Sequence, residues 1–380
     1  MAAAAAFSLV AVLVHWPKWH ELERTGMKKW IALMATALAL GLAGCGKSAA
    51  KPQLLETPDQ DTQFQMGTVV TLRIYDRGKK AVLAQAFKRI TTLADAITVN
   101  QKGSAVDQIN AAAGKHPVRV SKDVFRLIQY AKAYSQKSNG SFDLAIGPIT
   151  SMWHIGFNDE RKPSQREIDA ALPLVHYQDV QLDVAKRTVY LTKKGMQLDL
   201  GGIAKGFITD EVIDTFKQHG VTTAIADLGG NIYVLGHSPK GPKRDWTVGI
   251  QDPKESRGTA LGTIPAANQT IVTSGIYERY MKVDGKVYMH LMNPRTGYPF
   301  DNELMGVSII TKHSVDGDAL STATFDKGLK AGMAFIEKDT NAEAIFITKS
   351  KQVYVSSGLK NKFKLVKNSG YKLANIKDVK

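Results

Sequence analysis

Apolar residues between positions 64 and 180 recur with two different spacings, which predict a strand followed by helices. The run Val69–Tyr75 is rich in β-branched residues and predicts a strand. Apolar residues three and four positions apart predict a helix over residues 81–97. Ser121 is placed to cap a second helix, and Ser164 with Glu167 forms the capping box of a third.

Beyond Val180 the pattern changes to short β-rich runs mixed with two helical stretches. Helices are predicted over residues 204–218 and 318–337, the second broken at Gly328, and Asp284-Gly285 has the composition of a hairpin turn. The predicted strands are 188–192, 223–226, 231–235, 246–250, 280–283, 287–292 and 344–348. Since strands and helices do not alternate strictly, we expect an α+β fold rather than a doubly wound parallel sheet. We place it at residues 64–370, as a single large domain with mixed or antiparallel sheets flanked by helices.

The N-terminal residues have the composition of an export signal followed by a lipid attachment site. After Met27 come two lysines, an apolar run over residues 30–40, and then Leu-Ala-Gly directly ahead of Cys45. This order is typical of a secretory signal, and the run is shorter than the roughly 20 residues that cross a membrane. Leu-Ala-Gly-Cys resembles the bacterial lipobox, whose cysteine is lipidated and becomes the mature N-terminus. We interpret residues 27–44 as a lipoprotein signal peptide and residues 1–26 as an upstream extension or a mis-assigned start.

The composition of the chain limits the covalent links and the binding partners that can be expected. Cys45 is the only cysteine, so the mature chain can form no intrachain disulfide. Residues 45–63 comprise this lipidated cysteine and a polar stretch that predicts a flexible tether. The formal net charge of +15 suits an anionic membrane, a cell-wall polymer or a phosphate-bearing ligand. Because the lysines are scattered and no nucleic-acid-binding motif is present, we expect no nucleic acid partner.

Four segments carry residues that could take part in chemistry. Asp199–Gly206 brings glycines into a helix start, which suits an anion site or a tightly packed turn. Asp227–Asn231 lies between two predicted strands and is most simply an ordinary β-turn. His290–Gly297 places a histidine at a strand end, where it is either structural or a base. Asp318 and Thr322 share a helical face and suit Mg²⁺, although an aspartate also simply stabilises a helix N-terminus.

In this combination and order, the segments resemble those of the FAD:protein FMN transferase family, also called ApbE. The resemblance runs from about Met66 to about Gly328 and covers most of the mature chain. Its seven elements are Met66–Thr68, Gly140–Asp143 with Gly147-Pro148, Asp199–Gly206, Asp227–Asn231, Thr273–Gly275, His290–Gly297 and Asp318–Thr322. Many members of the family are bacterial lipoproteins, which agrees with Cys45.

The resemblance implies a T-fold-related domain that cleaves FAD, its substrate, with Mg²⁺ as cofactor. FMN would pass to a Thr or Ser hydroxyl of a partner protein as a phosphoester, and AMP would be released. The residues implied to contact FAD are Met66, Ser141, Phe142, Asp143, Asp199, Lys205, Leu291 and Met292, with Asn100 standing where the family often has a stacking aromatic ring. The residues implied at or beside the metal are Gly202, through its carbonyl, Asp318, Ser321 and Thr322. His290 and Asp318 are the expected catalytic residues, His290 for proton transfer.

Two other functions are compatible with these residues. Asn100 offers no ring to stack on FAD, so water could compete with the acceptor, as in a Mg²⁺-dependent FAD pyrophosphatase that yields FMN and AMP. A non-catalytic flavin-binding lipoprotein is the other alternative, but it would have no need of the Asp318/Thr322 pair. We expect the transferase, lipid-anchored on the extracytoplasmic face of the bacterial cell membrane and acting on an exported acceptor protein.

Overall fold

The computed structural model describes residues 54–379, apart from Pro242, Glu278, Asp339 and Thr340. The predicted upstream extension, the signal peptide and Cys45 therefore lie outside the described residues. Among the residues described, no helix is both long and apolar enough to cross a membrane.

The strands of the described chain form one large sheet and three small ones. In chain order they are β1 (Leu54–Gln65), β2 (Thr68–Asp76), β3 (Val118–Arg119), β4 (Val180–Asp183), β5 (Thr188–Leu191), β6 (Ala224–Leu228), β7 (Asn231–Leu235), β8 (Trp246–Gln251), β9 (Ala260–Ala266), β10 (Gln269–Gly275), β11 (Tyr280–Val283), β12 (Lys286–Met289), β13 (Leu304–Thr311), β14 (Glu343–Thr348), β15 (Gln352–Val355), β16 (Lys364–Leu365) and β17 (Lys372–Leu373). The large sheet has the order β1-β2-β6-β7-β10-β13-β14-β15-β17. Only β15 and β17 run parallel among these neighbours. The small sheets are β16-β9-β8, β3-β5-β4 and the hairpin β11-β12.

The helices and one small sheet cover opposite faces of the large sheet. In chain order the helices are α1 (Ala81–Ile97), α2 (Ala105–Ala111), α3 (Lys122–Lys137), α4 (Gly147–Trp153), α5 (Gln165–Ala171), α6 (Gly201–Gln218) and α7 (Ser314–Glu337). Strand β14 shows the arrangement, because its side chains alternate between two cores. Ala344 and Phe346 pack in the cluster that holds α7, whereas Ile345 and Ile347 pack in the cluster that holds β8 and β9.

The α+β fold is confirmed, and most predicted elements are present with small shifts of their ends. Both predicted caps are formed, by Ser121 on α3 and by Ser164 with Glu167 on α5. The hairpin turn at residues 284–285 joins β11 to β12 with positive φ at both residues. Helix α7 is interrupted at Gly328, whose φ is 72°. The predicted runs do not include nine of the observed strands, which are β1, β3, β4, β9, β10, β13, β15, β16 and β17.

The boundaries of the globular domain are wrong at both ends. Residues 54–63 belong to β1, which pairs with β2, although their polar composition predicts a tether. An edge strand satisfies its backbone through ladder hydrogen bonds and needs no apolar side chains on its open face, so composition alone does not reveal it. At the other end the domain continues past residue 370, because the Tyr371 hydroxyl donates to Asp252 at 2.8 Å and β17 joins the large sheet.

Candidate active site

Helices α6 and α7 make their closest approach at Gly206. A Cβ at Gly206 would lie 2.3 Å from the carbonyl oxygen of Ser314 and 2.7 Å from the Cβ of Asp318, so no larger residue fits without moving a helix. The Gly206 N–H donates to Asp318 Oδ2 at 2.8 Å. This contact brings together two predicted segments that are far apart in sequence, Asp199–Gly206 and Asp318–Thr322.

The Asp318 carboxyl group is buried at this contact and has cationic surroundings. Burial raises the pKa of Asp318, while the charge of Lys205 and the backbone N–H groups of Lys205 and Gly206 oppose the rise. The Ser321 hydroxyl, three residues further along α7, donates to the Asp318 carbonyl at 2.8 Å and lies 2.7 Å from the Ser274 hydroxyl of β10. Ser321 therefore anchors α7 to the large sheet, and its role at a metal stays a prediction.

Gly202, Thr322 and Phe142 meet one turn away from Asp318. A Cβ at Gly202 would lie 3.2 Å from Thr322 Oγ1 and 3.2 Å from Cε2 of the Phe142 ring. The absence of a side chain at Gly202 thus leaves room beside the hydroxyl that follows Asp318 by one helical turn. The α6 backbone at Gly202 is therefore close to the Thr322 hydroxyl of α7. The oxygen donors that the two helices offer here are the Asp318 carboxylate, the Thr322 hydroxyl and the Gly202 carbonyl.

This donor set fits Mg²⁺. Within the described part of the chain, no group of three or more His, Cys, Asp or Glu side chains could hold a metal ion. A metal held by Asp318, Thr322 and the Gly202 carbonyl would have hard oxygen ligands, one of them a carboxylate. Mg²⁺ is commonly bound by one or two carboxylates together with water and substrate phosphates, whereas Zn²⁺ prefers nitrogen and sulfur ligands.

The N-terminus of α7 is capped by Asp210 of α6, a residue not predicted from the sequence. Asp210 Oδ1 accepts the Ser314 N–H at 2.7 Å, and Oδ2 accepts the Val315 N–H at 2.9 Å. Burial raises the pKa of Asp210 to about 6, although both N–H groups favour its charged form. Asp210 holds the start of α7, and Gly206 holds Asp318 one turn later. The first turn of α7 is therefore fixed against α6.

His290 follows β12 and is held by the backbone of Arg279. Its N–H and its Nδ1 both lie 3.2 Å from the carbonyl oxygen of Arg279. Because a carbonyl only accepts, Nδ1 carries the proton and Nε2 is left as an acceptor. Burial lowers the pKa of His290 to about 4, and the charges of Lys205 and Arg279 add to this effect. The imidazole is therefore neutral at physiological pH, with Nε2 unprotonated.

Arg279 is a further site residue that the sequence did not reveal. Its guanidinium donates to the Gly67 carbonyl at 3.3 Å. Met66, next to Gly67 in the turn between β1 and β2, has a φ of 52°. Its side chain packs against the hydrophobic cluster that holds α1 and α6. A Cβ at Gly156 would lie 3.1 Å from Arg279 Cδ. Arg279 thus ties the β1–β2 turn and the loop at Gly156 to the backbone that orients His290.

Asp326 and Lys327, which precede the interruption of α7 at Gly328, each hold one loop of the site. Lys327 Nζ donates to the Ser138 carbonyl and to Ser141 Oγ, both at 3.1 Å. Asp326 accepts from Asn293 Nδ2 at 2.8 Å and forms an ion pair with Arg295. Lys327 therefore holds the loop that presents Phe142, and Asp326 holds the loop that follows His290.

Several predicted contacts with FAD involve residues whose side chains already have structural partners. The Asp143 carboxylate accepts the Ala145 N–H at 2.8 Å and the Tyr177 N–H at 3.0 Å, so it shapes its own loop. Asp199 Oδ1 accepts the Gly201 N–H at 2.8 Å at the start of α6. Leu291 and Met292 are buried in two hydrophobic clusters, so their side chains face the core.

Asn100 is exposed in the connection between α1 and α2, and its N–H donates to Thr98 Oγ1 at 3.2 Å. No described contact joins it to Asp318, His290 or Phe142. The predicted contacts of these residues with FAD remain predictions.

Asp210, Arg279, Asp326 and Lys327 were missed because each has partners from distant segments of the chain. Lys327 lies 189 residues from Ser138, and Asp210 lies 104 residues from Ser314. Each is an ordinary charged residue in its local sequence, and no motif marks it.

The chain is similar to several characterised proteins. A model of the ApbE family matches residues 66–346, which include every residue of the site. The FAD:protein FMN transferase of Klebsiella pneumoniae (strain 342) is 41% identical over 308 residues, covering 81% of this chain and 94% of that protein. The FAD:protein FMN transferase of Treponema pallidum (strain Nichols) is 31% identical over 352 residues, covering 89% and 96%. The crystal structure of the ApbE protein from Thermotoga maritima has a similar fold, with a TM-score of 0.73 at 26% identity over 80% of this chain and 98% of that one.

Proposed function

This chain belongs to the ApbE family and has FAD:protein FMN transferase activity, and from that premise we propose that transfer takes place between α6 and α7 with Mg²⁺ as cofactor. The observation that carries the proposal is the contact of Gly206 with Asp318, which sets a buried carboxylate beside Thr322, Gly202 and Lys205. Asp318, Thr322 and the Gly202 carbonyl would hold the metal.

The reaction exchanges a phosphoanhydride bond of FAD for a phosphate ester bond to the acceptor. The bond between the FMN phosphorus and the bridging oxygen of FAD breaks, AMP leaves with that oxygen, and the phosphorus bonds to the hydroxyl oxygen of the acceptor. When bound, Mg²⁺ supplies charge neutralisation on the phosphate oxygens. Lys205 supplies a further positive charge, and it acts on both Asp318 and His290. The protein otherwise contributes positioning and electrostatic stabilisation, as in other phosphoryl transfers.

His290 is the proposed acceptor of the hydroxyl proton. Its Nδ1 is fixed on the Arg279 carbonyl, so Nε2 is the basic atom. The low pKa keeps Nε2 unprotonated, while the same low pKa makes it a weak base. Deprotonation of the acceptor hydroxyl by His290 therefore has to occur together with bond formation to phosphorus rather than before it. The proton then leaves with AMP or solvent, which returns His290 to its neutral form.

We further propose that the enzyme acts outside the cytoplasmic membrane, attached through lipid on Cys45. The proposal is supported by the basic and apolar signal after Met27 and by Leu-Ala-Gly ahead of the single cysteine. Expression with radiolabelled palmitate should label the membrane-bound wild-type protein and leave Cys45→Ser unlabelled. Equal labelling of the two proteins would contradict a lipid on Cys45.

The transferase proposal is tested with purified protein, FAD, Mg²⁺ and the protein acceptor of the 41%-identical Klebsiella pneumoniae relative. Mass spectrometry follows the acceptor, and chromatography follows FMN and AMP. An acceptor heavier by one FMN, with equimolar AMP and no product in the presence of a chelator, is the expected result. Free FMN and AMP with an unmodified acceptor would instead identify a pyrophosphatase, and unchanged FAD would leave only binding.

A further inference from the structure

Exposed apolar side chains are concentrated around Arg279. Among the described residues, half of the large hydrophobic side chains that are exposed lie on three segments next to this arginine. They are Phe64 and Val69 on the β1–β2 hairpin, Phe157 in the loop after α4, and Tyr280 and Val287 on the β11–β12 hairpin. Contiguous exposed apolar surface on a soluble domain usually marks an interaction site.

Arg279 physically joins the three segments. Its guanidinium donates to the carbonyl of Gly67, which lies between Phe64 and Val69 in the β1–β2 hairpin. Its side chain packs on Gly156, the residue before Phe157. Tyr280, the next residue in the chain, begins β11. The exposed side chains therefore surround the residue whose carbonyl orients His290.

On the two hairpins the exposed residues share one face. Phe64 pairs directly with Val69 across β1 and β2, so the two side chains lie side by side on the same face of the hairpin. In β11 and β12, Lys282 pairs with Val287, and Tyr280 lies two residues before Lys282 on the same face. The opposite face of this second hairpin is buried, because Met281 and Tyr288 pack against α4 and α5 in one hydrophobic cluster.

The charge beside these residues indicates the chemistry of what binds there. Lys282 Nζ lies 5.7 Å from the centre of the Tyr280 ring, on the same face of the hairpin as Tyr280 and Val287. Within the described residues Lys282 forms no ion pair with a carboxylate. A surface of aromatic and aliphatic groups with an unpaired cation complements a protein segment that carries apolar and acidic side chains.

The position of this surface indicates its occupant. It lies on the segments that Arg279 joins, next to the carbonyl that orients His290. The macromolecule that has to approach His290 in every catalytic cycle is the protein acceptor.

We propose that Phe64, Val69, Phe157, Tyr280 and Val287 form the docking surface for the acceptor protein, with Lys282 selecting an acidic segment beside the modified hydroxyl. This inference rests on the proposed function, because it takes the site next to His290 as the place of transfer. Docking there would bring the acceptor hydroxyl to the side of the site that Arg279 and His290 occupy. It would affect acceptor binding and leave FAD binding unchanged.

The test compares steady-state transfer by the full chain and by the double variant Phe64→Ser/Tyr280→Ser, with the same Klebsiella pneumoniae acceptor. We expect the KM for the acceptor to rise at least about tenfold, since buried aromatic anchors usually dominate such interfaces. The kcat and the dissociation constant for FAD should stay within about twofold of wild type. A second variant, Lys282→Glu, should raise the same KM and weaken its dependence on salt.

The matched control is Val184→Ser/Leu373→Ser, which removes two side chains of comparable exposure, 67% and 52%, away from the hairpins. This control should leave every constant unchanged. An unaltered acceptor KM in Phe64→Ser/Tyr280→Ser would overturn the docking proposal. The docking proposal would also be overturned if the wild type sediments as a dimer and this variant as a monomer with an unchanged KM. The surface would then bind a second copy of the chain. Loss of transfer in the wild type itself would instead refute the proposed function, which separates the two failures.

Discussion

Gly206→Ala tests whether the contact between α6 and α7 sets the position of Asp318. The added Cβ would lie 2.3 Å from the Ser314 carbonyl oxygen, and a comfortable contact needs about 3.4 Å, so the helices have to separate by about 1 Å. Such overpacking costs about 1–3 kcal/mol. Alanine offsets about 1 kcal/mol of that through its higher helix propensity. The free energy of unfolding should therefore fall by only about 0–2 kcal/mol.

The effect on catalysis should be much larger than the effect on stability. Asp318 accepts the N–H of residue 206 directly, so a separation of the helices moves the carboxylate away from Lys205 and Gly202 of α6. A misplacement of about 1 Å at a reacting centre costs about 100-fold in rate. We expect kcat for FMN transfer to fall by about this factor, with a small change in thermal unfolding measured by circular dichroism.

Gly332→Ala is the matched control on the same helix. Its Cβ would lie 2.9 Å from the Thr324 carbonyl oxygen and 3.1 Å from the Phe346 ring, which is also too close, but far along α7 from Asp318. This variant should lose stability to a similar extent and keep most of its kcat once folded. If Gly206→Ala keeps at least half of the wild-type kcat, the helix contact does not position the carboxylate and the reasoning fails.

Three further outcomes follow from the site. Asp318→Asn should lower kcat by at least about 100-fold without changing the thermal unfolding, whereas Asp316→Asn on the same turn should leave kcat unchanged. Equal losses of kcat in the two variants would show that the metal site is not at Asp318. Because the pKa of His290 is lowered to about 4, it is neutral above that value, so the transfer rate should be flat from pH 6 to 8 and fall only as the pH approaches about 4. A midpoint near the ordinary histidine value in the pH–rate profile would contradict this environment. Lys327→Met frees the loop held at 3.1 Å and should weaken FAD binding by about tenfold in a fluorescence titration, whereas the exposed Lys330→Met should leave it unchanged.

Elements with a strong local signal could be predicted from the sequence. Helix α1 has a continuous apolar face, Ser164 and Glu167 supply a complete capping box, and the turn at residues 284–285 has the residues that positive φ favours. Strand β10 shows why other elements were missed. It ends in Ser274-Gly275, which has little β-propensity, and it is kept extended there because β13 pairs with it.

The sequence by itself determined the α+β class, the main helices and the segments that carry the chemistry, because period, caps and glycine spacing act over a few residues. It also determined the Asp318/Thr322 pair, since residues four apart share a helical face. Only the tertiary structure decided what surrounds that pair. The hydrogen bond from Gly206, the charge of Lys205 and the Arg279 carbonyl that orients His290 all come from other elements. Their approach depends on how the helices and strands pack, and packing joins residues that no local pattern connects.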